Sequence, residues 1–176
     1  MDSEFEKKLF PADKETYGEK YNEHLLEQYK VYFHSAEKIS DRRQKNNDFF
    51  LAINTALLAT LSFLNTKSED NLSFIIGLSS VAGICISYFW YRIVKSYKDL
   101  NTGKFKVLHQ IEKRLPISPL DAEWEALGRG ENSRLYLPFS HIEINIPLIF
   151  VGFYVTVLIW SLDMKEILEF ICSLHR

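Results

Sequence analysis

Three apolar stretches that carry no charged residue alternate with polar, strongly basic stretches along the chain. They are 49–64 (FFLAINTALLATLSFL), 72–91 (LSFIIGLSSVAGICISYFWY) and 144–162 (INIPLIFVGFYVTVLIWSL). A helix needs about 20 apolar residues to cross a bilayer, with a working minimum of about 17. The second and third stretches reach this length, and the first is about one residue short. Because a core helix of a soluble protein keeps a polar face, the pattern favours three membrane spans over a soluble helical bundle.

The pattern predicts an all-α integral membrane protein with three transmembrane helices. The chain divides into an N-terminal cytoplasmic helix (1–47), a transmembrane hairpin (48–91, with spans 49–64 and 72–91), a cytoplasmic helical region (92–143), a third span (144–162) and an exterior amphipathic tail (163–176).

The first helix is predicted to be long and continuous with the first span. Thr16 and Glu19 form a capping-box pattern that predicts its start. Apolar or small residues then recur in steps of three and four, as in the seam of a packed helix. These residues are Leu25, Tyr29, Tyr32, Ala36, Ile39, Phe50, Ile53 and Leu57.

The other predicted boundaries follow from capping and breaking residues. They give a second helix from Leu72 toward Leu100, a bend at Asn101–Gly103 and a helix over Lys104–Leu115. A short helix then runs from Ser118 to near Leu127, and a capping box at Ser140 and Glu143 opens the third span. An amphipathic helix over Met164–Leu174 is expected on the outer leaflet.

Basic residues predict the orientation. Nine lysines and arginines precede the first span and nine more lie between the second and third, out of 21 in the chain. Since such residues accumulate on the cytoplasmic side, the N-terminus and 92–143 are expected in the cytoplasm, and 65–71 and the C-terminus outside. Arg42, Arg43 and Arg92 would then meet the lipid headgroups, where the two arginines of the first helix could act in a switch.

Composition adds mainly exclusions. The net charge of −2 gives no general attraction to nucleic acid. The two cysteines form no disulfide framework, and no Cys/His spacing suits zinc. No phosphate loop, His-Glu-x-x-His or Gly-x-Ser-x-Gly motif is present. We therefore expect no enzymatic activity and no cofactor or metal. Glu123, Glu125 and Glu131 flank Trp124, and a solvated acidic helix face is favoured over a catalytic acid pair. Trp124 and Glu125 are candidate contacts for a partner.

Small residues on the spans predict close helix packing. Ser79, Gly83 and Ser87 lie four residues apart in the second span. Ala52, Ala56 and Thr60 form a similar stripe with the same spacing in the first span. Two interpretations stay open, namely packing among the three spans of one chain and a seam between copies in a homo-oligomer.

Asn54 and Thr55 are the most polar residues of the first span. A polar side chain in the membrane either bonds across helices or lines a water-filled path. No span carries a charged residue, which argues against a proton-coupled or voltage-sensing transporter.

One region resembles a known family. The sequence Ile39-Ser-Asp-Arg-Arg-Gln44 runs into Phe49-Phe-Leu-Ala-Ile-Asn-Thr55, and Trp90-Tyr-Arg-Ile-Val-Lys-Ser-Tyr97 follows the second span. Over about 21–115 the chain resembles SLATT-type small transmembrane effectors of bacterial conflict systems. The resemblance implies an effector of the bacterial inner membrane that an associated sensor activates, and that oligomerises and breaches the membrane in antiviral defence (abortive infection).

Two function classes therefore stand. One is a pore-forming or membrane-disrupting effector. The other is a membrane-anchored scaffold that recruits a cytoplasmic partner through Lys104–Arg134 and forms no pore. A small transporter ranks third.

Overall fold

The computed structural model describes residues 3–64, 72–131, 134–136, 138 and 142–174, with the side chains of 3, 64 and 163–174 left out. It is all-helical over these residues, as predicted. The helices are α1 (Ser3–Leu9), α2 (Lys14–Tyr17), α3 (Tyr21–Leu64), α4 (Leu72–Glu112), α5 (Pro119–Ala126), a 3₁₀ turn (Gly128–Gly130) and α6 (Ile146–Leu174).

The chain forms two compact units. The first, called unit 1, draws on 1–43 and 97–138, and the second, called unit 2, draws on 44–96 and 139–176. Unit 1 has a core of its own that includes Leu25, Ala36, Leu108 and Ile111. Unit 2 contains the three apolar stretches, and α3 and α4 contribute residues to both units.

The long helix begins later than predicted, and the capping box at Thr16 is wrong. Asp13 caps the separate one-turn helix α2, because its carboxylate accepts hydrogen bonds from the Thr16 backbone N–H at 2.8 Å and from the Thr16 hydroxyl at 2.6 Å. These bonds hold the pKa of Asp13 below its usual value. Gly18, at φ 92°, then ends α2 in a conformation that favours glycine. From Tyr21 onward the predicted seam of α3 is buried or half-buried.

The predicted bend at Asn101–Gly103 is also wrong, since α4 runs unbroken through it. The Thr102 hydroxyl donates to the Lys98 carbonyl at 3.0 Å, within the helix. A glycine inside a helix costs only about 1 kcal/mol relative to alanine. A cost of this size is small enough for one helical position to tolerate, and Gly103 does not interrupt α4.

The last two helices differ in how well their predicted bounds hold, since α5 ends at Ala126, within one residue of the predicted end, whereas α6 continues well beyond the predicted end of the third span. α5 starts with Pro119 at its first position, as expected. α6 begins at Ile146, two residues after the predicted start of the third span, and continues to Leu174. The separate helix predicted over Met164–Leu174 is therefore wrong, because its backbone belongs to α6. Ser140 of the predicted capping box lies outside the described residues.

Candidate functional site: a polar layer inside an apolar helical unit

Unit 2 carries large hydrophobic side chains on its outside. Phe74, for example, is 72% exposed. All three helices contribute, so this is not a single patch. Further exposed side chains are Phe49, Leu51 and Phe63 from α3, Leu78, Val81 and Phe89 from α4, and Leu148, Ile149, Phe153 and Ile159 from α6.

The inside of the same unit holds a hydrogen-bonded polar layer around Asn54. Asn54, Ser87 and Tyr154 are each 0% exposed. The Ser87 hydroxyl donates to Asn54 Oδ1 at 2.9 Å, and Asn54 Nδ2 donates to the Phe50 carbonyl at 2.8 Å. The Tyr154 hydroxyl donates to the Asn54 backbone carbonyl at 3.1 Å. One residue of α3 thus joins α4 and α6, and each polar atom in the layer has a partner.

A second polar layer lies one to two turns away. Trp90, only 1% exposed, donates its indole N–H to Asn47 Oδ1 at 2.9 Å. Asn47 Nδ2 donates to Glu143 Oε1 at 3.1 Å. The Trp90 ring stacks on Phe50, with ring centroids 6.0 Å apart. Its buried, bonded indole makes it part of the core of unit 2.

Gly83 lies at a close contact between α4 and α6. A Cβ atom at this position would overlap three atoms of the Tyr154 ring. Gly83 and Ser87 therefore pack against α6 and α3 of the same chain, which corresponds to the intramolecular interpretation of this stripe. Ser79 is half-buried on the same helix. Tyr154 itself was not singled out from the sequence, because nothing in an apolar stretch indicates where a tyrosine hydroxyl will point.

The predicted small-residue stripe on α3 faces the outer surface of unit 2, unlike Gly83 and Ser87 on α4. Ala52, Thr55 and Ala56 are all exposed, as are Ala59 and Thr60. The Thr60 hydroxyl donates to the Ala56 carbonyl of its own helix at 2.9 Å. The structure thus separates the two predicted pore-lining residues, with Asn54 inside unit 2 and Thr55 on its outer surface. Phe49 and Phe63, also exposed on α3, flank these small residues toward the two ends of the apolar stretch.

The same unit contains a small apolar cavity of about 220 Å³. It is large enough for several methylene groups and too small for a drug-sized ligand. Its lining residues are Leu58, Leu61, Ser62, Ile76, Val157 and Trp160.

The three arginines expected at the lipid headgroups differ in how exposed their side chains are. Arg42 and Arg92 are exposed, and Arg43 is half-buried. Arg92 donates to the Tyr88 hydroxyl at 3.3 Å. All three have polar or ring partners, and their headgroup role stays a prediction.

Unit 1 is organised by a buried carboxylate that sequence reasoning missed. Glu112 is 0% exposed and accepts hydrogen bonds from the Tyr29 hydroxyl at 2.8 Å and from the backbone N–H groups of Leu120 and Asp121 at 3.1 and 3.2 Å. It therefore holds the positive N-terminus of α5. Burial, together with the bond to Glu112, raises the pKa of Tyr29 to about 12.

The segment expected to contact a partner is engaged with its own neighbours. The Trp124 ring packs against Gly130 and meets Tyr136 edge-on, with centroids 6.4 Å apart. Glu125 pairs with Arg129 at 2.5 Å, and this pairing raises the pKa of Arg129. Trp124 is half-buried and Glu125 exposed, so a partner would meet the acidic side rather than the whole indole.

Among the described residues, the apolar helices differ in length. By length and composition, α4 alone is long and apolar enough to cross a membrane, and Ile146–Leu162 is a shorter apolar helix. Three spans therefore remain a prediction. Within the same residues no group of three or more His, Cys, Asp or Glu side chains could hold a metal ion.

Comparison with known proteins identifies the family. Residues 26–162 match the model of the octameric membrane protein family (8xMP). The match supports a small membrane protein and does not extend to the SLATT-type resemblance, which stays a prediction. No curated protein and no solved structure matches the chain. Because the matched region covers most of the 176 residues, the chain belongs to the octameric membrane protein family and is an oligomeric membrane protein.

Proposed function

We propose that the chain is the subunit of a homo-octamer in the bacterial inner membrane that spans the bilayer three times. The observation that carries this proposal is the arrangement of unit 2, in which hydrophobic side chains lie outside and hydrogen-bonded polar groups lie inside. In water, apolar residues exposed on all three helices would be a liability for aggregation. In lipid they are favourable, and the inner polar groups must bond to each other.

The charge distribution supports one orientation for the proposed spans. The basic residues before the first span and between the second and third spans favour a cytoplasmic location for both of those segments. The N-terminus is then cytoplasmic and the C-terminus exterior.

The octameric family description constrains the assembly further. All copies enter the membrane in the same orientation, so symmetry axes in the membrane plane are excluded and a single eightfold axis along the membrane normal remains. With helix axes about 10 Å apart, a ring of eight helices leaves an opening about 15 Å across. Such an opening is too wide for side chains to close, and lipid or water must occupy it.

We assign the outer face of α3 to the neighbouring copies and the axis. Ala52 and Ala56 are exposed on this face and small enough for a second helix to approach closely. Thr55 supplies polarity toward the axis. Asn54 is bonded inside unit 2, so a path for ions or solutes would run between copies rather than through one chain.

The activity that follows is permeabilisation of the membrane by the ring when an associated sensor activates it, in a bacterial defence response. The SLATT-type resemblance of 21–115 supports this activity, and the opening expected in the proposed ring would provide the path. The proposal assigns no catalytic reaction and no cofactor to the protein.

A scaffold without pore activity is the second candidate. Unit 1 favours it, because Glu112 fixes α5 and the Asp121–Arg129–Glu125 ion pairs give this unit an ordered acidic surface before any partner binds. A preorganised surface of this kind is what a cytoplasmic partner would recognise.

The experiment combines assembly and leakage in one preparation. Native mass spectrometry of the reconstituted protein should give eight copies of 20.6 kDa, about 165 kDa. Liposomes that contain this octamer should release a trapped dye, and Thr55→Leu should slow the release. Thr156→Leu, a matched exposed threonine on α6, should leave it unchanged. Two results together would eliminate the pore and leave the scaffold. Liposomes that contain the octamer would retain the dye, and cells that express the triggered system would show no dye leakage.

A further inference from the structure

One face of α4 carries two cations and a phenol at one end of unit 2. Tyr88, Arg92 and Lys95 follow each other at intervals of four and three residues, so they share this face, which we call the Arg92 face. All three are exposed, whereas Trp90 and Val94, on the opposite side of the helix, are each 1% exposed. The Arg92 face therefore points away from the core of unit 2.

The positive charge of the Arg92 face is not balanced by its own part of the helix. Residues 72–96, which α4 contributes to unit 2, include Arg92 and Lys95 and no Asp or Glu. Across the part of the chain that the structure describes, the ion pairs include neither of these two side chains. The next acidic residue of α4 is Asp99, four residues after Lys95. The face thus offers two unneutralised cations to an anion from outside the chain.

The Arg92 face begins where the apolar surface of α4 ends. α4 is long and apolar enough to cross a membrane, and Phe89 and Tyr88 are 62% and 52% exposed just before the first cation. Arg92 donates to the Tyr88 hydroxyl at 3.3 Å, which holds its guanidinium on the side of the apolar surface. Tyrosine is enriched at membrane–water interfaces, because its ring is apolar and its hydroxyl is polar. If α4 crosses a bilayer, this face meets the lipid headgroups.

A phosphate group suits the three side chains of the Arg92 face. A guanidinium bonds two oxygens of one phosphate at once, and the ammonium of Lys95 adds a second positive charge. The Tyr88 hydroxyl accepts the bond from Arg92, so its own proton is available for another phosphate oxygen. A zwitterionic headgroup carries a cation that both Arg92 and Lys95 repel. The chemistry therefore favours a headgroup with a net negative charge.

We propose that Tyr88, Arg92 and Lys95 form a binding site for the headgroup phosphate of an anionic phospholipid in the leaflet at this end of α4. The proposal rests on the proposed membrane crossing of α4. It does not depend on the number of copies or on permeabilisation, so it holds for an effector and for a scaffold alike.

The test measures lipid binding to the purified full-length protein in detergent by native mass spectrometry, with phosphatidylglycerol and phosphatidylcholine as probes. A cation near a membrane surface contributes about 1 kcal/mol, which corresponds to about fivefold in affinity. Phosphatidylglycerol should therefore bind at least about fivefold more tightly than phosphatidylcholine, and Arg92→Gln should remove about this factor. Tyr88→Phe, which removes one hydrogen bond, should weaken phosphatidylglycerol binding about threefold. Equal affinities of the unaltered protein for the two lipids would overturn the proposal.

Lys45→Gln is the matched control for charge alone. Lys45 is an exposed cation at the same end of unit 2, where Asn47 of α3 bonds to Trp90 of α4. Asp48 follows it by three residues and offsets its charge, so the substitution should change phosphatidylglycerol binding by less than about twofold. An effect as large as that of Arg92→Gln would mean general attraction between charges and would refute the site. Inorganic phosphate should not displace the lipid, and displacement would refute the lipid as the ligand.

Alkaline carbonate extraction of the membranes separates the lipid site from the proposed membrane crossing. The unaltered protein and each variant should stay in the membrane pellet. A protein that carbonate releases would contradict the crossing, and the lipid site with it. A protein that stays in the pellet but binds both lipids equally would refute the lipid site alone.

Discussion

Single side chains decide how the three apolar helices of unit 2 pack. Sequence reasoning identified Asn54, Gly83 and Ser87 as special because polar and small residues are rare in apolar stretches. It missed Tyr154 and Glu112, which bond to residues about 100 and 83 positions away along the chain. Partners at such separations depend on how each helix is rotated about its axis, and periodicity along one helix does not contain that rotation.

Gly83→Ala should destabilise the fold of the single chain. The added Cβ would overlap the Tyr154 ring, and overpacking of this kind costs about 1–3 kcal/mol. Thermal unfolding in detergent should show the loss. The matched control is Gly152→Ala on α6, where nothing lies within 4 Å of the new atom. If both variants unfold at the same temperature, Gly83 is not at a close helix contact.

Asn54→Leu should cost less. It removes the bond from Ser87, and interhelical hydrogen bonds in membrane proteins average about 0.6 kcal/mol. We expect a loss of about 1 kcal/mol in the free energy of unfolding, measured in detergent. Thr55→Leu, at the adjacent exposed position, should leave the stability of the single chain unchanged. A stabilised Asn54→Leu variant would contradict the buried bond.

The stability of unit 1 should fall between about pH 10 and pH 12. The pKa of Tyr29 is raised from 10.0 to about 12 in the folded chain, first by burial and then by its bond to Glu112. Above pH 10 the unfolded chain loses the phenolic proton while the folded chain keeps it, so rising pH favours unfolding. Below pH 10 both states are protonated, and the contribution is constant. Tyr29→Phe should flatten this part of the stability curve, and an unchanged curve would contradict the assignment.

At the scale of helices, the sequence predicts where helices exist better than where they stop. The apolar stretches, the seam of α3 and the start of α5 at Pro119 all follow from local patterns. The boundaries at Thr16, Gly103 and Met164 were misplaced. Several nearby residues can cap a helix start, and in the structure Asp13, not Thr16, is the N-cap residue. A helix that is packed along its length tolerates one glycine.

The outer face of α3 should govern assembly. Ala56→Leu adds bulk where a second copy is proposed to approach, and close helix contacts in membranes depend on small residues. The fraction of octamer in native mass spectra should fall, with the monomer still inserted in the membrane. Ala82→Leu, at an exposed small residue of α4, is the matched control. If both variants remain octameric, another face joins the copies.

For the whole molecule, the average composition and the distribution of apolar residues along the chain give different pictures. The mean hydropathy of −0.12 and a charged fraction of 25% are ordinary for a soluble protein. The polar segments outside the apolar stretches hide the membrane character in such averages, whereas the distribution along the chain preserves it. The number of copies is not encoded in any local pattern, because it depends on the angle at which outer helix faces meet, and it enters here through the family.

Membrane topology tests the central claim most directly, namely that unit 2 crosses the bilayer three times. The measurement is protease protection of a C-terminal tag in intact spheroplasts, with an N-terminal tag on the same protein as the internal control. Three crossings with the basic segments inside predict that external protease removes the C-terminal tag and spares the N-terminal one. A C-terminal tag that is cleaved only after the membrane is opened would mean an even number of crossings, and would contradict the account.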